Sequence, residues 1–569
     1  MKKYITILFV SAAALLSASC SNKLLELENP NALTSASAYT YEADLNAALI
    51  GVYHAFNGGF YNLDHSLLFS GQTDLCISYS PDTGLVDFVS FKYPDYSRGW
   101  NRVTWNSLYN QIARCNQVIT YAENVQEWKV YNKEELLAQA RAVRAWDYYQ
   151  LAVLYNHAPY VDYVAPAGDQ PAGTPYETLM QKVVEDAEYA YKTLPSTYNE
   201  GPWKGQYRLT KWFAGVVLAK TYMNWNNQYD KARDILKNII ENGYAINGQK
   251  LALNADYIYN SDTAHENNSE AIFEIQFAQT VQSAGGYWAA LGFGSGMNDG
   301  ATPDRGNWRW KFMGATPVGW GDYDAEAWML HAFKNEKTVT ATPRTQPGQY
   351  DQRLECSLLY TDIFTDYPGH MQWQWSENQP QYWKDGRAYI NKYVNWMGGD
   401  YVQTIQDEEP TNYRVFRLGE IIMDYAECLA QTGDLKGAID QIDIVRQRAG
   451  LAKLSEREPV ESKWTNPLTG ATLDLNADYG YAAIKAGNPT LKDVMSVIDI
   501  EDMKESCFEG DRLVDLRRWG VADMSGDFYK KVAARSSKYK DNFQPHKAWM
   551  PIPNSEVNNN PNLDQVEGY

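Results

Sequence analysis

Apolar residues along this chain recur mostly at three- and four-residue steps, the spacing that places them on one face of an α-helix. Leu137, Ala140, Arg144, Tyr148, Leu151 and Tyr155 form such a face and predict a helix that stops before His157-Ala158-Pro159. A second predicted helix runs from Pro175 to Leu194, carries Leu179, Val183, Ala187 and Tyr191 on a stripe, and ends at Pro195. Two further helix pairs share a layout. Ala219, Tyr222 and Ala232 surround a break at Asn224–Gln228, and Ala426, Leu429 and Ala438 surround a break at Thr432-Gly433-Asp434. Small residues at these spacings let two antiparallel helices approach closely, as in tetratricopeptide-type hairpins. The two pairs are degenerate and about 200 residues apart, which predicts a mostly α scaffold of packed hairpins and not a regular solenoid.

The pattern changes in the middle. The strand signals are few, and the clearest is Ala271–Phe277, which alternates in part. Between Gly285 and Gly321 lie 10 of the 39 Gly, and between Gly285 and Asp400 lie nine of the 19 Trp. The rest of this stretch predicts long loops, which carry function when they sit on a rigid scaffold. Residues 455–490, with Pro459, Pro467, Gly470, Gly480 and Pro489, predict a second loop-rich insertion.

The first twenty residues have a different character. Lys2 and Lys3 precede an apolar run from Ile5 to Leu16, too short to span a bilayer, and small residues lead into Cys20. This is the order of a secretory signal ending in a bacterial lipobox, with residues 1–19 removed and Cys20 lipidated. Residues 20–35 then read as a tether. No later apolar run approaches spanning length; Phe213–Ala219 is seven residues. The expected membrane association is an anchor and not a span.

Composition narrows the function. The net charge is −19 with no long basic run, which disfavours nucleic acid as a partner. After Cys20, five cysteines remain: Cys76, Cys115, Cys356, Cys428 and Cys507. Their long, irregular spacing allows at most two disulfides, and buried free thiols are the expectation. The 19 Trp, 42 Tyr and 17 Phe supply more flat, half-polar surface than a core needs, so stacking on a ligand enters the picture.

Catalytic and cofactor patterns are missing from the sequence: no Walker loop, HExxH, CxxC, EF-hand loop or GxSxG elbow occurs. Gly292–Gly296 is Gly-rich, but no clear strand–helix unit flanks it. Among the acids no pair stands out as acid and nucleophile for glycoside hydrolysis. Asp407-Glu408-Glu409 is the densest acidic run; it reads as a solvated loop, with a structural calcium site as the alternative.

Six blocks carry a resemblance. Leu24–Leu27 with Asn29–Thr34 looks like a tether; Trp105–Asn116 reads WNSLYNQIARCN; Arg141–Leu151 reads RAVRAWDYYQL and is followed by Leu154-Tyr155 and Pro159. Arg417–Glu427 reads RLGEIIMDYAE and precedes Val445–Leu451, VRQRAGL. Phe508–Gly520 reads FEGDRLVDLRRWG, and the chain closes through Pro551–Glu556, Asn560–Leu563 and Gly568-Tyr569. In this order, behind a lipobox, the blocks resemble the SusD/RagB family of outer-membrane nutrient-binding lipoproteins of the starch-utilisation type. Two positions depart from its pattern: Asp322-Tyr323-Asp324 where many relatives carry Pro-Thr, and Gln565-Val566-Glu567 where Gln-Asn-Pro is usual.

The resemblance implies a single SusD-like domain over residues 36–569, with a tetratricopeptide-like scaffold at about 36–270 and 411–569. Ligand-binding loops are expected at about 70–101 and 280–400. It implies a cell-surface protein of the outer membrane that pairs with a TonB-dependent, SusC-like transporter and binds oligo- or polysaccharide without cleaving it. No cofactor is implied. A peptide-binding, RagB-like subunit is the runner-up, and a secreted glycoside hydrolase is the rival from another class. The family binds ligand where an early loop meets the central loops. The early loop here, Thr73 to Asn101, contains Tyr79, Tyr93, Tyr96 and Arg98. The candidates for stacking are Tyr96, Trp100, Trp288, Trp308, Trp310 and Trp320, with Asp74, Arg98 and Asn101 as hydroxyl partners. Trp105 and Trp146 fall on predicted helix faces and are assigned to the core. Asp515, Arg517, Arg518 and Trp519 are read as a buried ion-pair cluster and not as a catalytic one.

Overall fold

The structure is a computed structural model that describes residues 39–58, 60–61, 69–80, 83–92, 99–277, 321–360, 388–393, 411–460 and 463–569, with side chains from Asn101 onward in the fifth of these stretches. Helices dominate. α1 (Glu42–His54) and α2 (Thr83–Val89) precede two long helices, α3 (Gly99–Tyr121) and α4 (Lys133–Tyr155). Then come α5 (Tyr176–Thr193), α6 (Lys211–Asn224) and α7 (Tyr229–Asn242). The central region contributes α8 (Ala327–Lys334) and α9 (Gln352–Ser357). The C-terminal part holds α10 (Leu418–Gln431), α11 (Leu435–Arg448), α12 (Tyr481–Lys485), α13 (Leu491–Ser506), α14 (Arg512–Arg518), α15 (Asp527–Arg535), α16 (Ser537–Asp541) and α17 (Asn554–Asn559).

The long helices pack in sequence order, α3 on α4, α4 on α5, α5 on α6 and α6 on α7. The array then crosses the central insertion, because α7 packs on α10, α10 on α11, and both α10 and α11 on α13. The two hairpins that the small-residue pattern predicted are α6–α7 and α10–α11, and they are neighbours in space. Local chemistry sets the breaks. At the α10–α11 turn, Gly433 takes φ +92, a left-handed conformation that costs a glycine nothing. Asp434 then accepts the Gly437 N–H at 2.8 Å and caps α11. The stripe predicted on α4 is buried, that on α5 is buried except for the half-buried Tyr191, and Trp105 and Trp146 lie in the core at 4% and 2% exposure.

β1 (Cys76–Ile77), β5 (Asp324–Ala325), β7 (Ala388–Ile390) and β6 (Leu358–Leu359) form a sheet in the order β1-β5-β7-β6. β2 (His157–Pro159) pairs with β3 (Gly173–Pro175), and β9 (Lys463–Thr465) with β10 (Thr472–Asp474). β4 (Ala271–Ile275) and β8 (Tyr413–Arg417) pair antiparallel across the whole central insertion.

The partial alternation read at Ala271–Phe277 holds only at its end, where Gln276 is exposed between buried Ile275 and Phe277; every β4 residue is buried. Glu274, the polar position, is reconciled with burial by Arg414, at 3.3 Å, and by the Asn412 amide, at 3.0 Å. The central stretch is also less loop-like than its Gly content implies, since it contributes α8, α9 and three strands. Trp328, one of its nine Trp, is core at 1% exposure. The insertion at 455–490 likewise carries the β9–β10 hairpin and α12. All five described cysteines are buried free thiols, and burial pushes the Cys356 thiol up to about 12. Among the described residues no helix is long and apolar enough to cross a membrane.

The polar interior is a second organising feature. Arg417 reaches Glu509 at 2.7 Å, Glu505 at 2.6 Å and Glu270 at 3.3 Å. Arg446 joins Glu336 at 2.6 Å and Glu501 at 2.5 Å, and Arg353 joins Asp351 at 2.6 Å. The expected cluster on α14 is there in part. Arg518 pairs with Glu427 and Asp515, each at 2.7 Å, whereas Arg517 donates to the Val153 carbonyl at 2.6 Å and so caps the end of α4.

These groups titrate in opposite directions. Burial pushes Asp499 and Glu501 up, but Arg535 and Arg512 for the first, and Arg446 and Lys504 for the second, outweigh it and hold each carboxyl at about 2. Burial raises Asp515 to about 7; the neighbouring Asp511, Asp424 and Glu427 add to the rise, and Arg518 opposes it. Burial also holds Glu420 and Asp424 above the usual range against the pull of Lys220. A carboxyl lowered in the folded state adds stability that is lost as the pH falls, here from about 4 toward about 2. A raised one keeps its proton on folding, so stability also falls as the pH rises from about 4 through about 7. Denaturation midpoints across this range should peak at mildly acidic pH, and Asp515→Asn should flatten the alkaline side. A midpoint that climbs steadily to pH 8 would contradict this assignment.

Candidate functional site

The early segment and the central insertion meet along β1 and β5. Cys76 pairs with Ala325 and Ile77 with Asp324, and Glu326 N–H donates to the Leu75 carbonyl at 2.8 Å. Just past the paired residues, the Ser78 hydroxyl donates to the Asp322 carbonyl at 2.7 Å. Gly71 lies so close to the buried Tyr323 that a Cβ there would stand 2.5 Å from the phenol oxygen, so the approach needs a hydrogen at that position. Asp324 pairs in turn with Tyr389 of β7, so one sheet row joins the early segment to two parts of the insertion. At this end of the sheet Tyr79 is 39% exposed.

Asp74 anchors the junction from below. Arg512 grips its carboxylate with two bonds of 3.0 Å, and Arg535 adds a third contact at 2.5 Å. Asp499 takes the other side of both arginines, at 2.5 Å from Arg512 and 2.7 Å from Arg535. The Trp328 indole donates to the Asp74 carbonyl at 2.6 Å, and the Arg535 guanidinium lies over the Trp328 ring at 4.5 Å. Burial pushes the Asp74 carboxyl up, but Arg512 and Arg535 together hold it below its ordinary value. Behind it, Lys538 is buried against the Gly71 carbonyl, and that burial lowers its pKa to about 8.

Two of the predicted hydroxyl partners are therefore scaffold. Asp74 is fully buried and saturated by arginines. Asn101 is 6% exposed; its amide nitrogen donates to the Pro551 carbonyl at 2.7 Å and its amide oxygen accepts the Tyr155 hydroxyl at 2.8 Å. Neither leaves a polar edge for a ligand. Tyr96, Arg98, Trp288, Trp308, Trp310 and Trp320 lie outside the described residues, as do Cys20 and the Asp407–Glu409 run. Trp100 falls in the first turn of α3, with its side chain outside them too. Tyr79, named within the early loop but passed over as a stacking ring, is an exposed aromatic that the structure places at the junction among the described residues. Its sequence signal, one Tyr between two Ser, is too weak to single it out. Among the described residues no group of three or more His, Cys, Asp or Glu side chains is arranged to hold a metal ion.

Comparison with known proteins fits this architecture. The family model described as the SusD family matches residues 269–569, and a second, described as starch-binding associating with outer membrane, matches residues 23–223. The chain belongs to the SusD family. SusD-like protein P25 of Formosa agariphila is 23% identical, over 94% of this chain and 93% of its own. A SusD superfamily protein from Bacteroides vulgatus shares the fold with a TM-score of 0.67 at 21% identity, covering 93% of this chain and 100% of its own. A structure described as a laminarin-binding SusD-like protein superposes with a TM-score of 0.63 at 20% identity, over 93% and 100%.

Proposed function

We propose that this protein is a surface lipoprotein, anchored to the outer membrane through Cys20, that captures oligo- or polysaccharide and delivers it to a TonB-dependent transporter without cleaving it. The observation that carries the reading is the junction of the early segment with the central insertion, where Tyr79 stands exposed beside the root of an aromatic-rich stretch. A sugar ring has an apolar face that an aromatic ring covers, and its hydroxyls stay within reach of polar neighbours. Family membership, the starch-binding family model and the laminarin-binding relative support a glycan over a peptide.

Affinity electrophoresis in polysaccharide gels, set against a peptide pool, tests the reading. Alanine at Tyr79, Tyr96, Trp100, Trp288, Trp308, Trp310 and Trp320 should each cost about 1–3 kcal/mol of binding wherever the ring stacks on sugar. Melting temperatures of those variants should stay near the parent value. Incubation with the same glycans should release no reducing ends. Retention of full retardation by every ring variant, or retardation by peptides alone, would place the function elsewhere.

A further inference from the structure

A concave site that shares no lining residue with the β1–β5 strands lies between the end of α2 and the segment after α16. It is a cleft of about 340 Å³. Its charge runs against that of the molecule. The chain carries −19 overall, yet the lining of the cleft holds Lys92 and Lys547 against the single Asp541. Lys547 and His546 lie on one wall and Lys92 on the other.

Lys547 is held in place. Its ammonium donates to the Phe91 carbonyl at 2.7 Å and the Asn542 carbonyl at 2.9 Å, and an ammonium has a third donor to give. Phe91, two residues past α2, adopts φ +58, and its ring packs edge-on against both Tyr539 and Phe543. The cation is therefore positioned before any ligand arrives, which lowers the entropy cost of binding. The rest of the lining is mixed. Asp541 accepts from hydroxyls, the Gln544 amide both donates and accepts, and Tyr569 offers a ring, set edge-on to His546 at 4.8 Å. Fixed cations alone would suit any small anion. Cations beside a carboxylate, an amide and an aromatic ring suit a sugar that itself bears a negative group.

We propose that this cleft binds an acidic sugar residue, one carrying a carboxylate or sulfate, with Lys92 and Lys547 on the anionic group and Asp541 and Gln544 on the ring hydroxyls. The inference rests on the reading that the protein binds glycan, and adds a charge preference to it. Titration calorimetry on the full-length mature protein would use four probes: an oligogalacturonide, a sulfated galactan oligosaccharide, a neutral galactan oligosaccharide of the same length, and inorganic sulfate. At least one acidic oligosaccharide should bind more tightly than the neutral one and weaken as salt rises. Lys92→Glu, on an exposed side chain that leaves the fold alone, should reduce that affinity about tenfold or more, a change of about 1.4 kcal/mol. Lys547→Gln should act in the same direction, and neither change should alter retention of neutral polysaccharide. Acidic binding that is no tighter than neutral binding, or that is indifferent to Lys92→Glu, overturns the cleft while leaving the glycan reading intact. Inorganic sulfate binding as tightly as the sugars also overturns it, because the site would then read charge alone. No binding of any glycan here and no retardation in gels would remove both.

Discussion

Arg417→Met is expected to destabilise the protein by about 3–5 kcal/mol, the cost of removing one partner from a buried ion network. The side chain is 1% exposed and its guanidinium serves Glu509, Glu505 and Glu270 at once. Methionine approximates its length and removes its charge, so the three carboxylates keep their burial and lose their common cation. Arg353 and Arg448 still face Glu505, Arg448 still faces Glu270 and Lys392 still faces Glu509, which limits the loss, but Arg417 is the group that joins all three carboxylates and holds Glu509 in two bonds. Urea denaturation monitored by tryptophan fluorescence reads the change directly. A shift below about 1 kcal/mol would mean that the network relaxes or admits water, and that the arginine fork matters less than its geometry implies.

A loss of comparable size, about 3–5 kcal/mol, is expected for Asp74→Ala. Here two arginines, Arg512 and Arg535, are left to share Asp499 in a buried site. The same substitution separates two roles for this residue. A hydroxyl partner for sugar would, on truncation, lose glycan binding and leave the melting temperature alone. A buried junction does the reverse: the folded fraction drops, and the protein that remains folded binds as before. Adding Arg512→Met to Asp74→Ala should recover part of the loss, because it removes one of the stranded charges. A double variant as unstable as the two single losses added together would show that the pair does not act as a unit.

The helical scaffold was legible because its signals are local. Ala426, Leu429 and Ala438 around a Thr-Gly-Asp break need only neighbouring residues to be read, and α10–α11 forms there. The packing of α7 on α10 was not legible, since the residues that meet are separated by the whole central insertion. The sheet β1-β5-β7-β6 escaped for another reason. Its strands are two or three residues long, too short for alternation to register, and they pair only because the rest of the fold brings them together. The misreading of Asp74 and Asn101 has the same origin. A polar residue on a loop looks available in sequence; three of the partners here, Arg512, Arg535 and Pro551, lie more than 400 positions away. The ion pair of Arg518 with Asp515 was foreseen because it spans a single helical turn.

The pairing of β4 with β8 sets the terms on which this molecule can change. The Phe277 N–H donates to the Asn412 side chain at 2.8 Å, so the chain leaves the scaffold and returns to it at the same place. Everything between is a closed excursion whose ends are already held together. In a flexible loop, doubling the length costs only about 0.6 kcal/mol in closure entropy. Substitutions, insertions and deletions inside the excursion thus reach the helical array where it is tied in: through the short strands, the Trp328–Asp74 contact, and the buried ion pairs of Glu336 with Arg446 and of Arg353 with Glu505. A lineage carrying this frame can vary the stretches of the excursion that lie between these ties, while the ties and the helices that keep it folded stay under separate selection.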